Sequence, residues 1–310
     1  MPETAPPPLA GELLGQYTPG TPEWEAARAG LCVTATEIAA IVGLSPWQSR
    51  FSLWHKKASL PTPPFEATPE MEWGTRLEDA IATKWADSHL DYLPCPTGTW
   101  QHSERTWQRA TPDRLIHPNP HDVLTPTGPV AIFEAKTAAT ADGWGPSGSD
   151  EVPVHYRCQV TWQQDTLGLF APAHLAVLIG GSDYREYVIE YHEADARLLR
   201  SAAEEFLASV RDGVRPPIDD SEVTYRTVKA QPAGRDDVDV EIPAELGDRY
   251  LDAVEQHRIA EAAKRQAAAE VLDQIGTGYR AVTAGRRIAY RTVRDGRTHS
   301  LTPYRQKDAA

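Results

Sequence analysis

Asp113 stands 21 residues before the tripeptide Glu134-Ala135-Lys136, which closes the short apolar run Val130-Ala131-Ile132-Phe133. That run reads as a β-strand, and side chains alternate across a strand, so Glu134 and Lys136 project from one face and can share one site. Two carboxylates can hold a hard divalent cation through oxygen, while an ammonium steadies an attacking water or the charge that develops beside it. This is the donor set that metal-assisted phosphodiester cleavage needs. Alone, Glu-x-Lys on a strand is more often a solvated charge pair, so its meaning depends on its company along the chain.

The elements that would position these groups can be read from periodicity and caps. Thr21-Pro22-Glu23 caps a short helix over residues 24–30, a second helix is expected over 33–42 and ended by Gly43, and a third over 52–58. Residues 70–90 carry Met71, Trp73, Leu77, Ile81 and Trp85 at helical spacing, and Gly74 and Glu78 lie four apart on one face of that helix. A glycine inside a helix costs about 1 kcal/mol relative to alanine, which points to a close approach at Gly74. Strands are expected over 98–101, 107–110 and 130–134, with 116–127 as a turn. A helix over 155–170, strands over 173–179 and 186–191 and an amphipathic helix over 194–212 complete this part.

With 310 residues the chain can bury a sizeable core. Its net charge of −13 argues against a protein that coats nucleic acid nonspecifically, but a metal site is itself a cluster of carboxylates and leaves enzymes that act on nucleic acid open. Three scattered cysteines, Cys32, Cys95 and Cys158, form no Cys-x-x-Cys pair, which suggests a reducing cytoplasm rather than zinc or redox work. No signal peptide or membrane-spanning run is visible, so a cytoplasmic protein is expected.

The domain reading is a flexible proline-rich leader over 1–20, a main domain over 21–213, a linker over 214–244 and an accessory region over 245–310. That last region should be a long helix over 245–275 followed by a basic β-hairpin, with strands over 279–283 and 287–294 turning at Ala284-Gly285. From Gly276 to Ala310 there are eight Lys plus Arg against two Asp, whereas the preceding 275 residues carry a net −19. The hairpin arginines, including Arg286, Arg287, Arg291, Arg294 and Arg297, suit a phosphate backbone, an acidic partner or simply a solvated surface.

Four further motifs occur in a specific order around the acidic pair. They are Trp24-Glu25-Ala26-Ala27-Arg28 followed by Val33-Thr34-Ala35-Thr36-Glu37-Ile38; Trp73-Gly74-Thr75-Arg76-Leu77-Glu78; Thr111-Pro112-Asp113; and Val152-Pro153-Val154-His155-Tyr156-Arg157-Cys158-Gln159. Together with Glu134-Ala135-Lys136 they closely resemble the YqaJ-type viral recombinase family, whose best-known relative is the lambda exonuclease, over residues 22–212. Arg114 departs from the glycine that commonly follows the aspartate.

The resemblance implies an α/β (α+β) fold with a restriction-endonuclease-like core, a central mixed sheet flanked by helices, to which the C-terminal helix and hairpin are appended. It implies Mg²⁺ or Mn²⁺ on Asp113, Glu134, the Ala135 carbonyl and Glu78, the last directly or through water. Lys136 and Gln159 would handle the attacking water or scissile phosphate, with Tyr156 one turn away, and Arg28 and Thr36 would read a 5′-phosphate. The expected activity is a 5′-to-3′ exonuclease on double-stranded DNA ends that leaves a 3′ single strand for an annealing partner in phage-type recombination, in a bacterial or phage-infected cytoplasm. A homotrimer encircling the duplex is a family possibility. The alternatives are an endonuclease or single-strand nuclease of the same fold, and an idle DNA-end-binding protein; no cysteine cluster supports an iron–sulfur relative.

Overall fold

The computed structural model describes residues 9–64, 66–119, 128–232, 234 and 236–304. The chain divides into two compact units, Met1–Gly234 and Arg235–Ala310.

In the first unit the elements run β1 (Gly11–Gly15), α1 (Pro22–Arg28), β2 (Val33–Thr34), α2 (Ile38–Ile41), α3 (Arg50–Lys57), α4 (Pro69–Ala86), β3 (Tyr92–Pro96), β4 (Thr99–His102), β5 (Gln108–Ala110), β6 (Arg114–Pro118), β7 (Ala131–Ala138), α5 (Val154–Leu167), β8 (Ala173–Ile179), β9 (Asp183–Ile189), α6 (Glu193–Arg211) and α7 (Glu222–Lys229). The expected mixed sheet is present, in the order β3-β6-β7-β8-β9, with β7 and β8 parallel and the other pairs antiparallel. A second sheet has the order β1-β4-β5-β2, with β2 and β5 parallel and the other pairs antiparallel. This is an α/β fold with helices flanking mixed sheets, as the sequence implies.

Alternation along β7 places the site. Ala131, Phe133 and Ala135 face α4, where they join Ile81, Ala82 and Trp85, while Ile132 faces the larger cluster built around α5 and α6. Glu134 and Lys136 therefore turn toward α5. α4 starts at the Thr68 cap, whose hydroxyl accepts from Met71 N, with Pro69 in the first turn. α5 ends at Gly168, whose φ of 71° is the left-handed conformation that stops a helix.

Several local expectations need correction. The helix expected over 33–42 shrinks to Ile38–Ile41, because Val33 and Thr34 pair in parallel with Gln108 and Arg109. Long-range pairing overrides a local helical pattern. The leader is not wholly unstructured: Gly11–Gly15 forms a strand against β4, while residues 1–8 lie outside the described residues. The turn expected over 116–127 begins as the end of β6, and residues 120–127 lie outside the described residues. The linker expected over 214–244 contains α7, whose buried Thr224 donates its hydroxyl to Ser49 Oγ at 2.7 Å. Gly74 meets no crowding that demands glycine: a Cβ there would lie 3.5 Å from Thr137 Oγ1, an ordinary contact.

In the second unit α8 (Ala244–Ile275) is followed by β10 (Arg280–Thr283), β11 (Arg286–Arg294) and β12 (Arg297–Pro303), which form an antiparallel sheet in that order. The expected hairpin is there, turning at Ala284 and Gly285 with positive φ, and a third strand extends it. Residues 305–310 of the region lie outside the described residues.

Candidate active site

Glu134 is completely buried, and a carboxylate there is tolerable only if its lone pairs are filled. Oε1 accepts from Asp113 N at 3.2 Å and from Gln163 Nε2 at 2.6 Å; Oε2 accepts from Gln159 Nε2 at 2.8 Å and from the Lys136 ammonium. The Asp113 carboxylate in turn accepts from Ala135 N at 2.9 Å. Lys136 Nζ lies against Glu134 and 3.9 Å from Asp113 Oδ2, so one cationic group spans both acids. Asp113, just before β6, and the middle of β7 are thereby cross-tied by backbone and side chain at once.

Burial pushes the Glu134 carboxyl up to about 7, and the Asp113 charge adds to the effect, against the pull of Lys136 and Gln163. Burial alone would lower Lys136, but Glu134 and Asp113 outweigh it and raise the ammonium well above its ordinary value. Lys136 Nζ also stands 5.4 Å from the centre of the Tyr156 ring, and burial raises the Tyr156 phenol.

Glu78 reaches the same end of the sheet from the opposite layer. Arg114 pairs with Phe133 in the sheet register and therefore faces α4, where its guanidinium takes Glu78 Oε1 at 2.6 Å, the Asp79 carboxylate and the Asp113 carbonyl at 2.5 Å. Burial and then Asp113 raise the Glu78 carboxyl, while Arg114 and Lys136 oppose them. Glu78 thus feels the Asp113 charge but is held by Arg114, the residue that stands where the family pattern has glycine.

The donor set suits a hard cation. No three Asp, Glu, His or Cys side chains converge on one point among the described residues. Mg²⁺, however, is commonly held by one or two carboxylates, with water and substrate phosphate completing its shell. Asp113 and Glu134 supply the two acids and the Ala135 carbonyl is the adjacent neutral oxygen.

A second cluster forms around α1. Arg28 Nη2 donates to Thr36 Oγ1 at 2.9 Å and to Thr34 Oγ1 at 3.4 Å, and the guanidinium lies 4.2 Å from the centre of the Trp24 ring. Thr34 N in turn donates to Glu37 Oε2 at 3.0 Å, and Lys57 Nζ meets the same oxygen at 2.9 Å in a buried ion pair. Burial lowers the Arg28 guanidinium, against the charges of Glu37 and Glu25. Among the described residues no carboxylate lies in ion-pair contact with Arg28. Its partners are neutral hydroxyls, which is the state of a guanidinium ready for an anion.

The structure therefore brings Asp113, Glu134, Lys136, Gln159 and Tyr156 together, sets Glu78 at their margin, and joins Arg28 to Thr36 elsewhere on the unit. Three participants were missed from sequence. Gln163 lies four residues after Gln159 on the same helical face, a spacing that was a usable signal. Thr34 sits two residues before Thr36. Arg114 had only its departure from glycine to mark it.

Residues 23–167 match the model of the YqaJ-like viral recombinase domain. The match runs from α1 to the end of α5 and so takes in both clusters, and it supports a nuclease of phage-type recombination. Among solved structures, the chain is similar to the alkaline exonuclease LHK-Exo from Laribacter hongkongensis, at 18% identity and a TM-score of 0.46, covering 63% of this chain and 94% of that one. The same exonuclease in complex with dAMP gives 18% identity, a TM-score of 0.47 and the same coverage. No curated protein matches the sequence. Among the described residues no helix is long and apolar enough to cross a membrane.

Proposed function

We propose that the YqaJ-like domain is a divalent-metal-dependent deoxyribonuclease that degrades double-stranded DNA from its ends in the 5′-to-3′ direction. The observation that carries the reading is the buried Glu134 tied to Asp113, Lys136, Gln159 and Gln163 in one hydrogen-bonded knot. Such a knot fixes acid, cation and amide before substrate arrives, and preorganisation of this kind is where electrostatic catalysis gains most.

Asp113, Glu134 and the Ala135 carbonyl would hold Mg²⁺ or Mn²⁺, which when bound supplies Lewis acidity and a lowered cost of negative charge at the scissile phosphate. Lys136 remains an ammonium throughout and stabilises charge rather than accepting a proton. Gln159 uses its amide nitrogen on Glu134, which leaves its carbonyl oxygen to orient a water. Glu78, held by Arg114, contributes negative potential at the margin of the site. Hydrolysis joins the water oxygen to phosphorus and breaks the bond to the 3′-oxygen.

Direction follows from Arg28, Thr34 and Thr36. A guanidinium partnered by hydroxyls and an aromatic ring, with no carboxylate in contact, can bind a terminal phosphate through charge-assisted hydrogen bonds. Each turnover of the proposed reaction leaves a new 5′-phosphate on the shortened strand, so the product presents the ligand for the next cycle. The remaining 3′ single strand is the substrate for an annealing protein.

The test is digestion of end-labelled linear duplex and of closed circular DNA, with Mg²⁺ or with EDTA. Mononucleotides released from the 5′ end of linear DNA only in Mg²⁺ are expected. Cutting of the circular form, or activity in EDTA, would refute the proposal.

A further inference from the structure

The second unit has no part in the chemistry above, yet its charge is sorted. The long helix α8 is acidic, and two of its three arginines are spent locally: Arg258 pairs with Glu255 and Arg265 with Glu261. In the β10–β12 sheet the pattern reverses. Arg280, Arg286, Arg294 and Arg297 are exposed, and among the described residues none is in ion-pair contact with a carboxylate. A net of +6 over the last 35 residues stands against −19 before them.

The sheet is also stiffened from within. Arg291 turns to the helix end, donating Nη2 to Gly276 O at 2.6 Å, and Ala281 and Ala289 are buried. Tyr290 lies 6.1 Å from Tyr279 and 5.2 Å from Tyr304, ring centre to ring centre. Arg280, Tyr290 and Thr302 are register partners across the three strands and so share a face. The next pair along that face is Thr292 and Ser300, whose hydroxyls are 2.7 Å apart. Arg280 and this row of hydroxyls offer N–H and O–H donors on one face, and the only formal charge among them is positive. That is the chemistry that meets phosphate oxygens without reading bases.

We propose that the β10–β12 sheet is a contact surface for the phosphate backbone of duplex DNA, separate from the catalytic cluster. The inference rests on the nuclease reading, and it answers a need which that reading creates. DNA must approach a chain whose first 275 residues carry −19, and released counterions supply much of the driving force when arginines meet phosphates. An acidic protein is the competing occupant.

The experiment compares the full chain with its Arg280→Ala, Arg286→Ala, Arg294→Ala, Arg297→Ala quadruple variant in EDTA, where no cleavage is expected. Equilibrium binding to a short 5′-phosphorylated duplex is followed over a range of salt concentrations. Each lost phosphate contact removes ~0.9 from the slope of log K against log[salt], so the quadruple variant is expected to be shallower by ~3 to 4. Arg286→Ala with Arg297→Ala, both beside the turns, gives a fall of ~2 and serves if the quadruple variant does not fold. An unchanged slope in the folded variants overturns the proposal, even if the sheet then proves to hold an acidic protein. Cleavage by the wild type in Mg²⁺ is read in parallel. Cleavage with an unchanged slope refutes the surface alone, whereas absence of both DNA binding and cleavage refutes the nuclease reading with it.

Discussion

The two clusters of the first unit handle charge in opposite ways. Around Glu134 every charge is answered inside the protein: an ammonium, two amides and a backbone N–H fill the carboxylate. Around Arg28 the guanidinium has two threonine hydroxyls and the Trp24 ring, and among the described residues no carboxylate in ion-pair contact. A closed knot of charges suits groups that must keep their geometry while bonds break, because a buried carboxylate that loses its partners is costly, by about 3–5 kcal/mol for a broken buried pair. An unanswered cation suits recognition, because its partner is to come from outside. The first cluster should therefore govern whether DNA is cut, and the second which end is taken.

The largest effect expected is on the cut itself. Glu134→Gln keeps the shape and an oxygen acceptor but removes the charge, and should lower the single-turnover cleavage rate by a factor on the order of 10³ or more, while duplex binding persists. Asp113→Asn should match it. If either variant cut at the wild-type rate, the carboxylate knot would not be the catalytic centre.

Next comes stability in acid, which separates the buried half from the open one. His174 lies on β8 beside Trp85 and His89, and burial, with His89 adding to it, depresses its imidazole to about 4. The unfolded chain binds that proton near pH 6.5, so between about 6.5 and 4 the contribution of His174 to stability falls as pH falls, opposed above about 4.5 by Glu134, whose raised carboxyl binds a proton more readily in the folded state. The loss amounts to up to about 3 kcal/mol and should be read from denaturant midpoints across that window. His174→Phe should flatten this part of the profile, and an unaltered profile would show that His174 is not its source.

Arg28→Ala should leave cutting of unphosphorylated ends little changed but reduce the preference for 5′-phosphorylated ends by about 10- to 100-fold, the value of charge-assisted hydrogen bonds of about 1.5–3 kcal/mol. Arg28→Lys should recover part of it, since lysine keeps the charge and loses the planar fork. Thr36→Val removes one neutral partner of the guanidinium and should cost about 2- to 10-fold in the same ratio. A fall in the rate on both kinds of end would instead tie the Arg28 cluster to the chemistry.

Much of the knot was legible because it obeys short periods. Glu134 and Lys136 share a face through the two-residue repeat of a strand, and Tyr156, Gln159 and the overlooked Gln163 share one through the three- and four-residue spacing of a helix. What stayed hidden depends on partners distant in sequence. Val33-Thr34 looks helical until β5 pairs with it. β3 carries Pro94 and Pro96, residues that argue against a strand, and it is tolerated because it lies at the edge of its sheet. α7 is anchored by a hydroxyl pair, Thr224 to Ser49, across 175 residues, which no hydrophobic pattern announces. Arg114 could be seen as a departure, but not that it would hold Glu78.

The division between a cutting cluster and an end-reading cluster comes down to one ratio: the wild-type kcat/KM on linear duplex bearing 5′-phosphates over that on the same duplex bearing 5′-hydroxyls, measured in Mg²⁺. A preference of about tenfold or more for phosphorylated ends, abolished in Arg28→Ala, is the predicted result. Equal rates on the two substrates in the wild type would contradict it.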